Sequence, residues 1–273
     1  MKSEHRRWIR AVGLFPLGAG LLACTAFGQV SGIADNSFLI EEAYNQEAGV
    51  VQHISTLDLR DRSSDWTFSF VQEWPFPDQR HQLSYSVPIA HVDGQQGLGD
   101  GALNYRYQWI GVGGGPFAVA PRLSLLLPSG DADKGLGAGS PGLQFNLPVS
   151  AALGDRLVGH WNLGGTYTAD ADGPGGTQAN TRAVQLGQGL IYLVRPTLNL
   201  LLEAVWIRDE VVTGRGATSA EESFFVSPGV RFALNRPSGL QIVPGIAVPI
   251  GVGPSDGERS VFLYLSFEHP FGN

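Results

Sequence analysis

His53 and Ser55 stand two residues apart in "QHIS". On an extended chain side chains alternate, so the imidazole and the hydroxyl share one face. That is the raw material of nucleophilic hydrolysis: the imidazole takes the Ser proton, and a third group must orient the imidazole. Asp65 lies nearby and could orient it only by compensating from an unusual place. Two polar residues on a strand can also sit side by side with no catalytic role.

Other patterns carry less chemistry. "GLGDG" and "GVGGGP" have the glycine density of phosphate-cradling loops. Neither opens a helix or carries the Lys of a nucleotide-binding loop, so both read as turns. "DADKG" (131–135) and "DADG" (170–173) have the oxygen-rich look of calcium loops. The twelve-residue pattern with its closing Glu is missing, so a weak surface cation site or a solvated loop are the two readings. The six histidines show no paired metal spacing, and no metal or cofactor is expected. The formal net charge of −7 argues against nucleic acid as a partner.

The elements that would hold such residues are strands. From about residue 50 to the end, period-two alternation recurs in about twelve runs, among them 65–74, 81–92, 101–111, 117–128, 157–168, 182–194, 197–208, 223–234 and 240–250. In "DWTFSFVQEW" the rings of Trp66, Phe68, Phe70 and Trp74 oppose Thr67, Ser69 and Glu73. Leu83, Tyr85, Val87 and Ile89 oppose Gln82, Ser84 and Ser86 in the same way. "TLNLLLEAVWI" departs from the pattern, with Leu on both faces. Most runs are longer than an ordinary soluble strand and match the ~9–11 residues that a tilted strand needs to cross a bilayer. Long and short connections largely alternate, as they do in outer-membrane barrels. Charged residues are 16% of the chain and Lys occurs only at positions 2 and 134, which is little for a soluble surface. The predicted fold is all-β, a closed antiparallel transmembrane barrel of about twelve strands with periplasmic termini. A soluble sandwich would alternate too.

Residues 1–28 read as a secretory signal, with Lys2, Arg6, Arg7 and Arg10 before an uncharged run and cleavage after Ala26 or Gly28. Cys24 is the single cysteine, either acylated as in a lipoprotein or removed with the leader. Residues 29–48 form an N-terminal periplasmic segment, and 49–273 the barrel. "FLIEEAYNQE" could make a short helix that plugs the periplasmic mouth, or remain a disordered lead-in.

By strand parity Glu73, Arg106, Arg122, Glu203, Arg231 and Glu268 point inward and are the predicted pore-lining residues. Such charges must be wet or paired. They either tune what a pore admits or pair with one another and fill a narrow interior.

"FLIEEAYNQEAGVVQHI" (38–54), "GLGDGALNYRYQ", "PRLSLLLPSGD", "GLQFNLPVSAAL" and "SFEHPF" together resemble a family of outer-membrane barrels labelled as a component of the meta-pathway of phenol degradation. The resemblance implies a barrel passing hydrophobic or aromatic compounds. "SVFLYLSFEHPF" is similar to the terminal strand read by the barrel assembly machinery, although Gly272 and Asn273 follow the aromatic. The His-x-Ser pair is similar to that of outer-membrane phospholipase A and lipid A deacylases. Their orienting residue, fourteen past the His, is Thr67 here. The expected function is therefore a non-enzymatic channel for passive passage of small solutes. Outer-membrane lipid, lipopolysaccharide and the assembly machinery would be its partners. A lipid-modifying hydrolase built on His53 and Ser55, or a non-conducting structural barrel, are the alternatives.

Overall fold

The computed structural model describes residues 37–271. The expected signal segment and Cys24 lie outside the described residues. Strand segments follow one another as β1 (Val50–Arg60), β2 (Trp66–Pro75), β3 (His81–Val92), β4 (Gln95–Leu98), β5 (Gly101–Tyr107), β6 (Phe117–Val119), β7 (Arg122–Leu127) and β8 (Gly142–Gly154). They continue as β9 (Leu157–Gly173), β10 (Thr177–Arg195), β11 (Leu198–Gly214), β12 (Ala217–Phe232), β13 (Leu234–Asn235), β14 (Gln241–Ala247), β15 (Ile250–Gly251) and β16 (Ser260–Pro270).

These segments build twelve antiparallel staves. The ring runs β14, β16, β1, β2, β3, β5, β7, β8, β9, β10, β11, β12 and returns to β14, where Gly229–Arg231 pair with Gly245–Ala247. The short β4 flanks β3, β6 continues the β7 stave against β8, and β15 continues the β14 stave against β12. Closure is what lets a sheet sit in hydrocarbon, because no edge of unpaired amides is left.

Parity then sorts the side chains. On β2 the outward rings of Trp66, Phe68 and Phe70 lie opposite Leu59, Leu57 and Ser55 of β1, while Glu73 lies opposite the buried Gln52. Outward Leu103, Leu123, Leu143, Phe145, Leu200 and Leu202 are all exposed. Their inward neighbours Ser124, Gln144, Asn146, Asn199 and Glu203 are buried. This inversion of the soluble pattern, apolar outside and polar inside, is that of a lipid-facing barrel.

Several expected boundaries differ, for identifiable reasons. The run 117–128 breaks at Pro121 into β6 and β7, and 240–250 breaks at Pro249 into β14 and β15, because Pro cannot donate to a ladder. The run 101–111 ends at Tyr107; beyond it Ile110 only bridges Val119, and residues 108–116 form an irregular connection. Conversely 157–168, 182–194, 197–208 and 223–234 extend into strands of 16 to 19 residues. The stretches "ADADGPGGTQANT" and "EVVTGRGATSAE" are thus mostly paired hairpin arms closed by tight turns at 174–176 and 215–216. Polar alternation continues the ladder past the bilayer, so hydropathy alone marks the membrane limit and not the strand end. The segment 38–47 is not helical; its amides are spoken for elsewhere, as described below.

A charge on the lipid face should be costly and one residue away harmless. Val87→Arg, at mid-strand and opposite Phe70, is expected to lose about 2–4 kcal/mol of stability, and Ser86→Ala less than about 0.5 kcal/mol. Denaturant unfolding in phospholipid vesicles measures both.

Candidate functional site

The wall of the barrel is polar for a reason that appears only when residues 37–47 are followed. This segment runs inside the ring and meets the staves in turn. Glu203 of β11 accepts from the amides of Phe38 (3.0 Å) and Leu39 (3.1 Å). Asn162 of β9 accepts from Glu41 N–H and donates to Glu41 C=O. Ser150 of β8 accepts from Ala43 N–H at 2.8 Å, and its hydroxyl is 2.7 Å from His160 Nδ1. Gln108 accepts from Asn45 N–H, and Gln82 of β3 from Gln46 N–H at 2.7 Å. A turn from Glu47 C=O to Val50 N–H then feeds the chain into β1. The amides at 38, 39, 41, 43, 45 and 46 therefore have no helical partner to seek, and the segment is neither the short helix nor the disordered lead-in that the sequence left open.

Arg106 is the centre of one end of this arrangement. Its guanidinium donates to Asn45 Oδ1 (2.9 Å), Glu42 C=O (3.2 Å) and Tyr44 C=O (2.8 Å), and lies 3.9 Å from carboxylates of Glu41, Glu42 and Glu73. Arg122 Nε is 2.7 Å from Glu41, and its other nitrogens reach Asn104, Gln144 and Ser124. Glu73 accepts from Gln82 at 2.7 Å, and Glu268 from Gln52 at 2.7 Å, while Gln46 also bonds Gln52. Arg231 is fully buried on the inner wall of β12. All six parity-derived residues thus face the interior. The structure brings Glu73, Arg106 and Arg122 together around the segment's own Glu41 and Glu42. It places Glu203 and Arg231 on the opposite wall.

The other end of the segment is apolar. Phe38 packs on Val243, Phe262 and Tyr264 and on the group formed by Val158, Ile191 and Leu201; Ile40 packs on Val205. This explains the two-faced "TLNLLLEAVWI": Leu200 and Leu202 face lipid, whereas Leu201 and Val205 face the segment. Glycines open the space. A methyl at Gly245 would lie 2.4 Å from the Phe38 ring, one at Gly229 2.9 Å from it, and one at Gly189 2.6 Å from Ile40.

Parity put Gln82, Gln108, Ser150 and Gly245 on the inward face with the charges, but gave no site role to these residues, to Asn162 or to Gly189 and Gly229. Inward polarity flagged the four polar residues in principle. The glycines had no signal of a site, since a gap in a wall has meaning only once its occupant is known.

The remaining candidates resolve otherwise. His53 and Ser55 share the outward face, but His53 Nε2 lies 3.3 Å from His269 Nε2 and its ring stacks on Phe70. Asp65 sits at the far end of the hairpin, accepting from Asp93 N–H, and Thr67 faces inward, so neither of these two positions orients the imidazole. In "DADKG", Lys134 Nζ is 2.7 Å from Asp131 and holds that carboxyl below the usual carboxylate range. A cation would have to displace that ammonium. Among the described residues no group of three or more His, Cys, Asp and Glu could hold a metal ion.

Fold and interior together define a class: a twelve-stranded transmembrane β-barrel that carries its own N-terminal segment within the lumen. The family model described as "Putative MetA-pathway of phenol degradation" matches residues 32–242, and the chain belongs to that family. Among solved structures, an outer membrane channel from Pseudomonas putida F1 is similar, with a TM-score of 0.61 and 14% identity over 84% of this chain and 98% of that one. A KdgM porin matches at a TM-score of 0.45 and 11% identity, over 81% and 99% of the two chains. No curated protein matches the chain.

Removing the Glu203 carboxylate should free the front of the segment. Glu203→Ala strands two amides, each costing about 1–3 kcal/mol if left unpaired. Hydrogen exchange at Phe38 and Leu39 is expected to accelerate by at least about tenfold, with the ladder of β1 unchanged. Equal protection in variant and parent would contradict the assigned tether.

Proposed function

We propose that this chain is an outer-membrane channel for passive passage of small solutes, with residues 37–47 as its resident constriction. One observation carries the reading: the segment is held by side chains of the wall and adds no strand to the sheet. Release would exchange side-chain bonds for water and leave the barrel intact. The similarity of fold to an outer membrane channel supports it, as does the inverted polarity of the wall. In this reading the outward aromatic faces meet outer-membrane lipid and lipopolysaccharide, and β16 is the strand offered to the assembly machinery.

Hydrophobic or aromatic solutes are the proposed cargo. The family description refers to phenol degradation, and the lumen carries an apolar wall at Val243, Phe262 and Tyr264. Arg106, Arg122, Arg231, Glu73, Glu203 and Glu268 would set its charge preference.

Single-channel recording in planar bilayers tests this. The folded protein should show small, intermittent conductance, and Arg106→Ala, which loses three bonds to the segment, should raise the open fraction roughly tenfold, the effect of about 1.4 kcal/mol on such an equilibrium. Silence from both folded proteins would leave a structural barrel.

A further inference from the structure

Phe38 occupies a slot that suits a free aromatic molecule. Its ring is the leading apolar group of the segment and lies against both Gly229 and Gly245 at the closing seam of the barrel, where Gly229 is paired with Ala247 and Gly245 with Arg231. The rings of Phe262 and Tyr264 stand 5.9 Å and 5.2 Å from it, both at 40°, within the range of tilted aromatic pairs. Val243 completes the floor and is fully buried. The apolar lining continues through Val158, Ile191 and Leu201, while Glu203 holds the Phe38 amide and Arg231 lies opposite Gly245. The two glycines leave the space that the Phe38 ring fills, since a methyl on either would crowd the ring. Further along the segment the wall bonds backbone amides and polar side chains; here it holds an aromatic side chain by shape.

We propose that the Phe38 slot is a binding site for small uncharged aromatic molecules, and that Phe38 is a tethered stand-in for them. A ring of the phenol or toluene class that enters the slot displaces Phe38 and frees the front of the segment. Apolar cavities that fit an aromatic ring stay dry and take up aromatic solutes. Two occupants cannot share the slot, so binding and release of the segment are linked, and the ligand favours the open state by its affinity for that state alone. The inference rests on the channel reading for its consequence, but not for the binding itself.

The test separates the two. The full chain is folded in detergent micelles, with folding checked by heat-dependent gel migration, and titrated with fluorobenzene by fluorine NMR. Phe38→Ala should show saturable binding beyond partition into detergent. Phe38→Ala with Gly245→Val, which fills the slot with side chain, should abolish it. Indistinguishable titrations of the two variants would overturn the site. Should Phe38→Ala not fold, Ser37→Cys in the Phe38-bearing protein serves instead. Its reaction with a maleimide should speed up several-fold with phenol and remain unchanged with cyclohexanol. An unchanged rate with phenol, or equal acceleration by both alcohols, overturns the proposal. Binding without any conductance would instead count against the channel reading and leave the site standing.

Discussion

An amide placed in hydrocarbon or in a narrow lumen has to find an acceptor, and this requirement governs the molecule twice. In the wall it forces the staves to pair all the way round, so that β12 must meet β14 even though only Gly229–Arg231 and Gly245–Ala247 are in register there. In the interior it forces residues 37–47 to be met by side chains, because the inner face of a closed sheet has no free backbone to offer. Glu203, Asn162, Ser150, Gln108 and Gln82 are the wall's answer. The polar lining is therefore fitted to a peptide as much as to water.

The wall is uneven around the ring for the same reason. Where the segment presents backbone and carboxylates, the lining is Arg, Asn and Gln. Where it presents Phe38 and Ile40, the lining turns aliphatic and aromatic, with glycines at the closest approach. The charges are also matched locally. Two guanidinium groups, at Arg106 and Arg122, face the carboxylates of Glu41, Glu42 and Glu73. Removing a partner from such a buried set is costly, since the remaining charge is left without compensation.

Much of this was legible in the sequence, because parity is local. Alternation over ten residues reports which face meets lipid whatever the rest of the chain does, and so Glu73, Arg106, Arg122, Glu203, Arg231 and Glu268 could be turned inward from their neighbours alone. The proline breaks at 121 and 249 are local too, and were there to be read. What could not be read was correspondence. Nothing near Leu201 says that its partner is Phe38, more than a hundred residues earlier, and nothing near Gly245 says that its missing side chain makes room for a ring. A helix for "FLIEEAYNQE" was a fair inference from local preference, and tertiary hydrogen bonding overrode it.

How firmly the segment is held follows from opposing terms of similar size. Ordering residues 37–47 costs about 1–2 kcal/mol per residue, hence of order 10–20 kcal/mol. Each of its bonds to the wall returns a net ~0.5–1.5 kcal/mol. Burial of Ile40 returns about 1.5–3 kcal/mol, and the partial burial of Phe38 and Leu39 up to that amount each. With bonds at the amides of 38, 39, 41, 43, 45 and 46 and at the carbonyls of 41, 42 and 44, the gains come to the same order as the cost. A segment spliced into the sheet as a thirteenth stave would have no such balance, since leaving would open the barrel. Tethering by side chains keeps the wall closed while the occupant stays within reach of release, and it lets small changes at one seat, whether at Glu203 or at the Phe38 slot, decide whether the lumen is filled.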